Sequence, residues 1–157
     1  MSDASGKMTS GIERSDVEEV RDTCLCFATQ RAARVLARRF DQLFAPLGIT
    51  NGQYSMMVAM TGMGAPKLGQ LAGFLGMDHT TVTAAVKALE KRGLVVLKPD
   101  PEDGRARRAT LTRSGQAIVS QALPIWRAEH AKLDDELGVE TARSLRAVLG
   151  DVATGIG

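Results

Sequence analysis

Between Lys67 and Gly93 two short helical patterns are punctuated by glycine, and this punctuation constrains the chain more tightly than any other feature. The first reads Lys67-Leu68-Gly69-Gln70-Leu71-Ala72-Gly73-Phe74-Leu75 and stops at Gly76. Asp78, whose carboxylate can accept from the unpaired N–H groups of a helix start, opens a second helix over about His79–Arg92. Gly93 then stands where a helix end favours a left-handed residue. Two helices joined by a glycine-bearing turn of a few residues form a helix-turn-helix. A hairpin comes next. Leu94-Val95-Val96-Leu97 is a β-type run, Pro99 to Gly104 is dense in turn residues, and Ala109-Thr110-Leu111 returns as the partner strand.

Helices flank this unit on both sides. Leu25, Ala28, Ala32, Val35, Leu36, Phe40 and Leu43 recur at three- and four-residue steps, which predicts one long helix from about Val17 to Phe44. Pro46 and Gly48 end it, and Thr50-Asn51-Gly52-Gln53 spells a capping box at the next helix start. That short, Met-rich helix runs to about Thr61. From Thr112 the pattern is helical to Leu137 with Pro124 inside as an expected kink, then again from Val139 to about Val152. Residues 1–11 are small and polar and carry no apolar core of a secretory signal. With no membrane-spanning run either, a cytoplasmic location with reduced cysteines is expected.

The charge is unevenly placed. His79 to Arg113 holds eight basic residues against four acidic, whereas the rest of the chain holds 12 against 14. A local basic excess on a near-neutral body is what a phosphate-facing surface requires. On a helical wheel, Val82, Ala85, Val86 and Leu89 share the side that must be core. Thr80, Thr83, Ala84 and Lys87 share the opposite side, which is small, hydroxylated and basic. Such a face suits close approach to base edges, thymine methyls and phosphate. Arg105, Arg107 and Arg108 crowd one side of the hairpin, where arginine favours a narrow minor groove, and Asp103 is placed to buttress Arg105. The residues assigned to double-stranded DNA are therefore Asp78, His79, Thr80, Thr83, Ala84, Lys87, Arg105, Arg107 and Arg108.

These residues carry a family resemblance. Leu71-Ala72 to Leu75-Gly76, Thr81-Val82-Thr83 to Leu89-Glu90-Lys91-Arg92-Gly93-Leu94-Val95, and Asp103-Gly104-Arg105 to Leu111-Thr112-Arg113-Ser114-Gly115 closely resemble the MarR family of winged-helix regulators. Pro46-Leu47-Gly48-Ile49-Thr50 to Gln53-Tyr54 resembles the way such proteins join their first two helices, and the likeness covers about residues 20–150. It implies a mainly α fold: a winged helix-turn-helix domain with a two-stranded β wing plus N- and C-terminal dimerisation helices. The expected boundaries are a flexible segment over 1–15, a first dimerisation helix over 16–48, the winged domain over 49–112 and C-terminal dimerisation helices over 113–157. It also implies a homodimeric repressor on a pseudo-palindrome with half-sites roughly 10 base pairs apart. Leu25, Phe27, Leu123, Ile125, Trp126, Leu133, Leu137, Leu145, Val148 and Leu149 fit that independently, being more apolar surface than one small winged domain covers.

Two kinds of regulation are compatible with the resemblance. It implies a pocket for a small aromatic or phenolic effector, which here places Arg34, Arg38, Phe40, Tyr54 and Met57 as the candidate lining, with Met60 nearby. Met and Phe at helical spacing are also what a core requires, and an internal carboxylate is an alternative partner for Arg34. Alternatively, Leu25-Cys26-Phe27-Ala28 resembles the segment bearing the reactive cysteine of the family's organic-hydroperoxide-sensing branch, making Cys26 a possible redox residue. That branch has tyrosines where this chain carries Gln30, Phe40 and Asn51, and no second cysteine lies near the C-terminus. Within one helix Cys24 and Cys26 point roughly 200° apart, so neither a disulfide nor a metal pair is expected, and burial as structural residues is the competing reading. No cofactor or metal is expected, and no nucleophile–base constellation or phosphate-binding glycine loop marks an enzyme. An adaptor that binds protein instead of DNA would load the outer face of 79–91 with apolar anchors.

Overall fold

The structure is a computed structural model that describes residues 11–155. Packing divides the chain into two units between Arg38 and Arg39. The first unit holds α1 (Arg14–Thr23) and the larger part of α2 (Leu25–Phe44). The single helix predicted over residues 17–44 is thus two, because Cys24 leaves the helical region with φ −76° and ψ 109°. Its sulfur accepts a hydrogen bond from the backbone N–H of Phe27 at 3.4 Å and so starts the second helix. Hydrophobic spacing survives a one-residue break, which is why periodicity alone does not reveal it. The expected flexible segment over 1–15 is also shortened: Arg14 and Ser15 already belong to α1, where the N–H of Glu13 donates to Asp16 at 2.8 Å. Residues 1–10 of that expectation lie outside the described residues.

The second unit begins with the last turns of α2. Phe40 and Phe44 are buried in its core, so α2 contributes residues to both units. A 3-10 turn (Ala45–Leu47) ends at Gly48, whose φ of 68° is one that glycine adopts without a Cβ penalty. Beyond it lie α3 (Asn51–Met63), α4 (Leu68–Leu75), α5 (His79–Lys91), β1 (Val95–Pro99), β2 (Arg107–Leu111), α6 (Arg113–Leu137) and α7 (Val139–Gly155). The capping box at Thr50 forms as its spelling predicts: Gln53 N donates to Thr50 Oγ1 at 3.2 Å, and Thr50 N to Gln53 Oε1 at 3.1 Å. Residues 113–137 form one helix with Pro124 inside it.

Phe44, Met57, Leu71, Val82, Val86 and Leu89 are fully buried and join α2, α3, α4 and α5 around one core. Strands β1 and β2 pair antiparallel, with Val95 opposite Leu111 and Pro99 opposite Arg107. Helix α6 is pressed onto the start of this hairpin at Gly115, where a Cβ would lie 2.1 Å from the Leu94 carbonyl oxygen. At the far side of the core, Arg39 forms a two-pronged pair with Glu136 at 2.7 Å on each prong and also donates to the buried Glu129. No helix of the described residues is long and apolar enough to cross a membrane.

Candidate nucleic-acid interface

Helix α5 is oriented by its buried stripe. Val82, Val86 and Leu89 are fully buried, which turns Thr80, Ala84 and Lys87 outward as exposed residues with His79 beside them. Thr83 is half-buried; its hydroxyl donates to the His79 carbonyl at 2.7 Å and lies 3.4 Å from His79 Nδ1. Asp78 caps the helix, accepting from Thr81 N at 2.8 Å and from the Thr81 hydroxyl. The Thr81 hydroxyl, then the Thr81 backbone N–H, hold the Asp78 carboxyl below the usual carboxylate range. Its negative charge is committed to the helix start, where it would repel phosphate. The role that the structure shows for Asp78 is that of a cap.

The wing stands beside α5 because its base is tied down. Asp100, 2% exposed, accepts from Arg108 Nε and from the backbone N–H groups of Glu102 at 3.0 Å and Asp103 at 2.8 Å, with Lys67 Nζ at 3.5 Å. Burial pushes this carboxyl up, but the Arg108 bond and the two backbone donors outweigh it and hold the pKa at about 2. Arg108 Nη1 also donates to the Ala65 carbonyl at 3.0 Å. Ala65 has a φ of 63°, a left-handed conformation unusual for a residue with a Cβ, and this bond helps to hold it. The sequence assigns Arg108 to DNA, yet its guanidinium is engaged inside the fold; the structure makes it a support for the wing. Asp103 does buttress Arg105, through its backbone: Arg105 N donates to Asp103 Oδ1 at 3.1 Å.

Arg105 and Arg107 are exposed, and no ion pair engages either among the described residues. They face α5 across an open groove of about 800 Å³, whose other wall carries His79, Thr83 and Lys87. Lys67 and Gln70 complete the groove from the start of α4. Sequence reasoning missed these two, because a lysine and a glutamine at a helix start carry no mark of the wing they meet. Glu90 lies in the same groove, and its carboxylate accepts from the Leu97 N–H at 3.1 Å, linking α5 to β1. A helix face of hydroxyls and a cation, flanked by free arginines, is suited to a duplex with phosphates on both sides of a groove.

The expected effector lining is only partly brought together. A cavity of about 610 Å³ opens among α3, α4 and α6, and Tyr54 lines it with Val58, Met63, Phe74, Leu123 and Trp126. Met57 is fully buried core, and so is Phe40, whose ring lies 4.8 Å from that of His130. Arg34 donates to Gln30 at 3.0 Å in the first unit, to which Arg38 also belongs, and the cavity wall comes from the second unit alone. Phe40 and Met57 are thus withdrawn from that wall into the core. The cysteines differ from the expectation of burial: Cys26 is exposed and Cys24 half-buried at the helix break. They also do not share one helix, since Cys24 lies at the break and Cys26 in α2.

The sequence pattern of the MarR family matches residues 47–106, which span α3 to the wing. The transcriptional regulator MosR of M. tuberculosis is 30% identical, with a TM-score of 0.71 over 85% of this chain and 97% of its own. In its crystal structure with DNA the TM-score is 0.76 at 28% identity, over 85% of this chain and 96% of that one. An organic hydroperoxide resistance transcriptional regulator of Bacillus subtilis is 27% identical over 64% of this chain and 69% of its own length. The HTH-type transcriptional repressor NicR of Pseudomonas putida is 31% identical over 56% of each chain.

Proposed function

This chain belongs to the MarR family of DNA-binding transcriptional regulators, and from that premise we propose that it is a homodimeric, ligand-responsive repressor of a pseudo-palindromic operator. The observation that carries the reading is the groove in which His79, Thr83 and Lys87 of α5 face Arg105 and Arg107 of the wing. Thr80, Ala84 and Lys87 supply the exposed face that enters the major groove, and the two arginines follow the adjacent minor groove. The structure of MosR with DNA supports DNA as the partner.

The dimer is supported by apolar side chains that each unit leaves exposed. In the first these are Leu25, Phe27 and Val35; in the second, Leu137, Leu145 and Val148. Ile125, Trp126 and Leu133, also expected at the interface, pack instead against the second unit's core. A two-fold dimer covers such surfaces with a second copy and spaces two reading helices by one DNA turn. The effector reading centres on the cavity beside Tyr54, lined almost entirely by apolar side chains and built partly from α4 of the helix-turn-helix.

A second mode of release is favoured by one observation: Cys26 is exposed, beside a helix break at Cys24. Oxidation of that thiol would alter the apolar segment around Leu25 and Phe27, and the similarity to a hydroperoxide resistance regulator supports it. Binding of the full chain to the DNA flanking its own gene, with the mass of the complex measured, tests the proposal. Two chains per site are expected; no retention, or a single chain per site, contradicts it.

A further inference from the structure

We propose that the cavity beside Tyr54 and Trp126 takes an uncharged, largely apolar ring compound with one hydrogen-bonding oxygen, and discriminates against aromatic acids. This rests on the effector-pocket reading and narrows it to one chemical class.

The wall decides the charge. Its ten residues are Tyr54, Ser55, Val58, Ala59, Gly62, Met63, Phe74, Leu75, Leu123 and Trp126, and none of them is ionised at neutral pH. A carboxylate entering such a site sheds hydration and gains no counterion from the wall itself, which is a costly way to bury a polar group. Arg127 and Arg146 line a separate groove with His130 and Asp134, which shares only Trp126 with this wall. Arg146 there is already paired with Asp134 at 2.8 Å. The size fits a small organic molecule, since 610 Å³ lies within the usual range for such pockets.

Tyr54 supplies the polar contact. The residue is 5% exposed and its ring packs 4.9 Å from that of Phe44, so its position is set by the core. Burial pushes its hydroxyl's pKa up, Arg127 opposes this from outside the wall, and no hydrogen bond contributes. Among the described residues no protein group bonds this hydroxyl, and a neutral phenol at the edge of an apolar cavity is free to donate to a carbonyl, ester or ether oxygen of a ligand. Phe74, 68% exposed at the rim, and Trp126 offer flat faces to a ring.

The probes are sodium benzoate, methyl benzoate and toluene, titrated at pH 7.5 onto the full chain by ligand-observed NMR. The emission of Trp126, the one tryptophan, reports location. Methyl benzoate should bind at least tenfold more tightly than benzoate. Tyr54→Phe should weaken methyl benzoate several-fold and leave toluene unchanged. Gly62→Leu, placed where a Cβ has nothing within 4 Å, should abolish binding of both by filling the cavity. Benzoate binding as tightly as its ester, with Gly62→Leu still blocking both, overturns the uncharged-ligand inference and leaves the pocket reading standing. No binding by any probe, or binding indifferent to Gly62→Leu, overturns the pocket reading and the inference with it.

Discussion

Arg108, in the second strand of the wing, donates through Nε to the buried carboxylate of Asp100, eight residues earlier in the chain. The pair links both strands to the loop before α4, because Arg108 also holds the Ala65 carbonyl and Asp100 also meets Lys67. A wing that presents Arg105 and Arg107 to a groove must be held at its base, and this is the contact that holds it.

Acid should therefore loosen the wing. The folded-state pKa of Asp100 is held at about 2, against 3.8 for the free side chain, so its contribution to stability is complete above pH ~4. It is lost as pH falls from there toward 2. Asp100→Asn should lower the melting temperature by several degrees at pH 7 and show a shallower decline between pH 4 and 2 than the wild type. Parallel declines in the two proteins would contradict the assignment.

Gly115→Ala offers a test of packing with the opposite sign from helix propensity. Alanine favours a helix interior over glycine by roughly 1 kcal/mol, yet the added Cβ would meet the Leu94 carbonyl oxygen at 2.1 Å. That oxygen also accepts from the Thr112 N–H at 3.0 Å, so it moves only with the hairpin. A net loss of about 1–3 kcal/mol in denaturant unfolding is expected. Equal or greater stability would show that α6 and the Leu94 segment before β1 do not press together there.

Thr80→Ala and Thr83→Ala should change which operator bases are preferred, since both lie on the outer side of α5. Thermal stability should shift by less than about 1 kcal/mol, because neither side chain is fully buried. Selection from a randomised operator pool reads the preference. Melting loss with an unchanged preference would place these hydroxyls in folding instead of recognition.

If the exposed thiol of Cys26 is a sensor, organic hydroperoxide should release the wild type from DNA and leave Cys26→Ser bound. Equal release of both proteins rejects oxidation at this residue.

Much of the fold is legible in the residues, for physical reasons that differ from element to element. Thr50-Asn51-Gly52-Gln53 and Asp78 are local chemistry, and each caps the helix it spells. The stripe of Val82, Val86 and Leu89 faces inward because burial follows helical period. The hidden features depend on partners distant in sequence. Arg108 reads as one more wing arginine until Asp100 and Ala65 come to it in space. Phe74 and Trp126 are 52 positions apart, and nothing in the order of residues says that they share one cavity with Tyr54. The helix break at Cys24 is hidden for the reverse reason, since the apolar spacing continues across it.

The most direct test of the central claim is the salt dependence of DNA affinity in the wild type and in Arg105→Ala/Arg107→Ala. Two free arginines per chain on the wing release counterions when they meet phosphate or the minor groove. The double variant should therefore bind more weakly, with a log–log salt slope flatter by roughly two to four in the dimer. Affinity and slope both unchanged would mean that the wing does not touch DNA and that the groove beside α5 has another use.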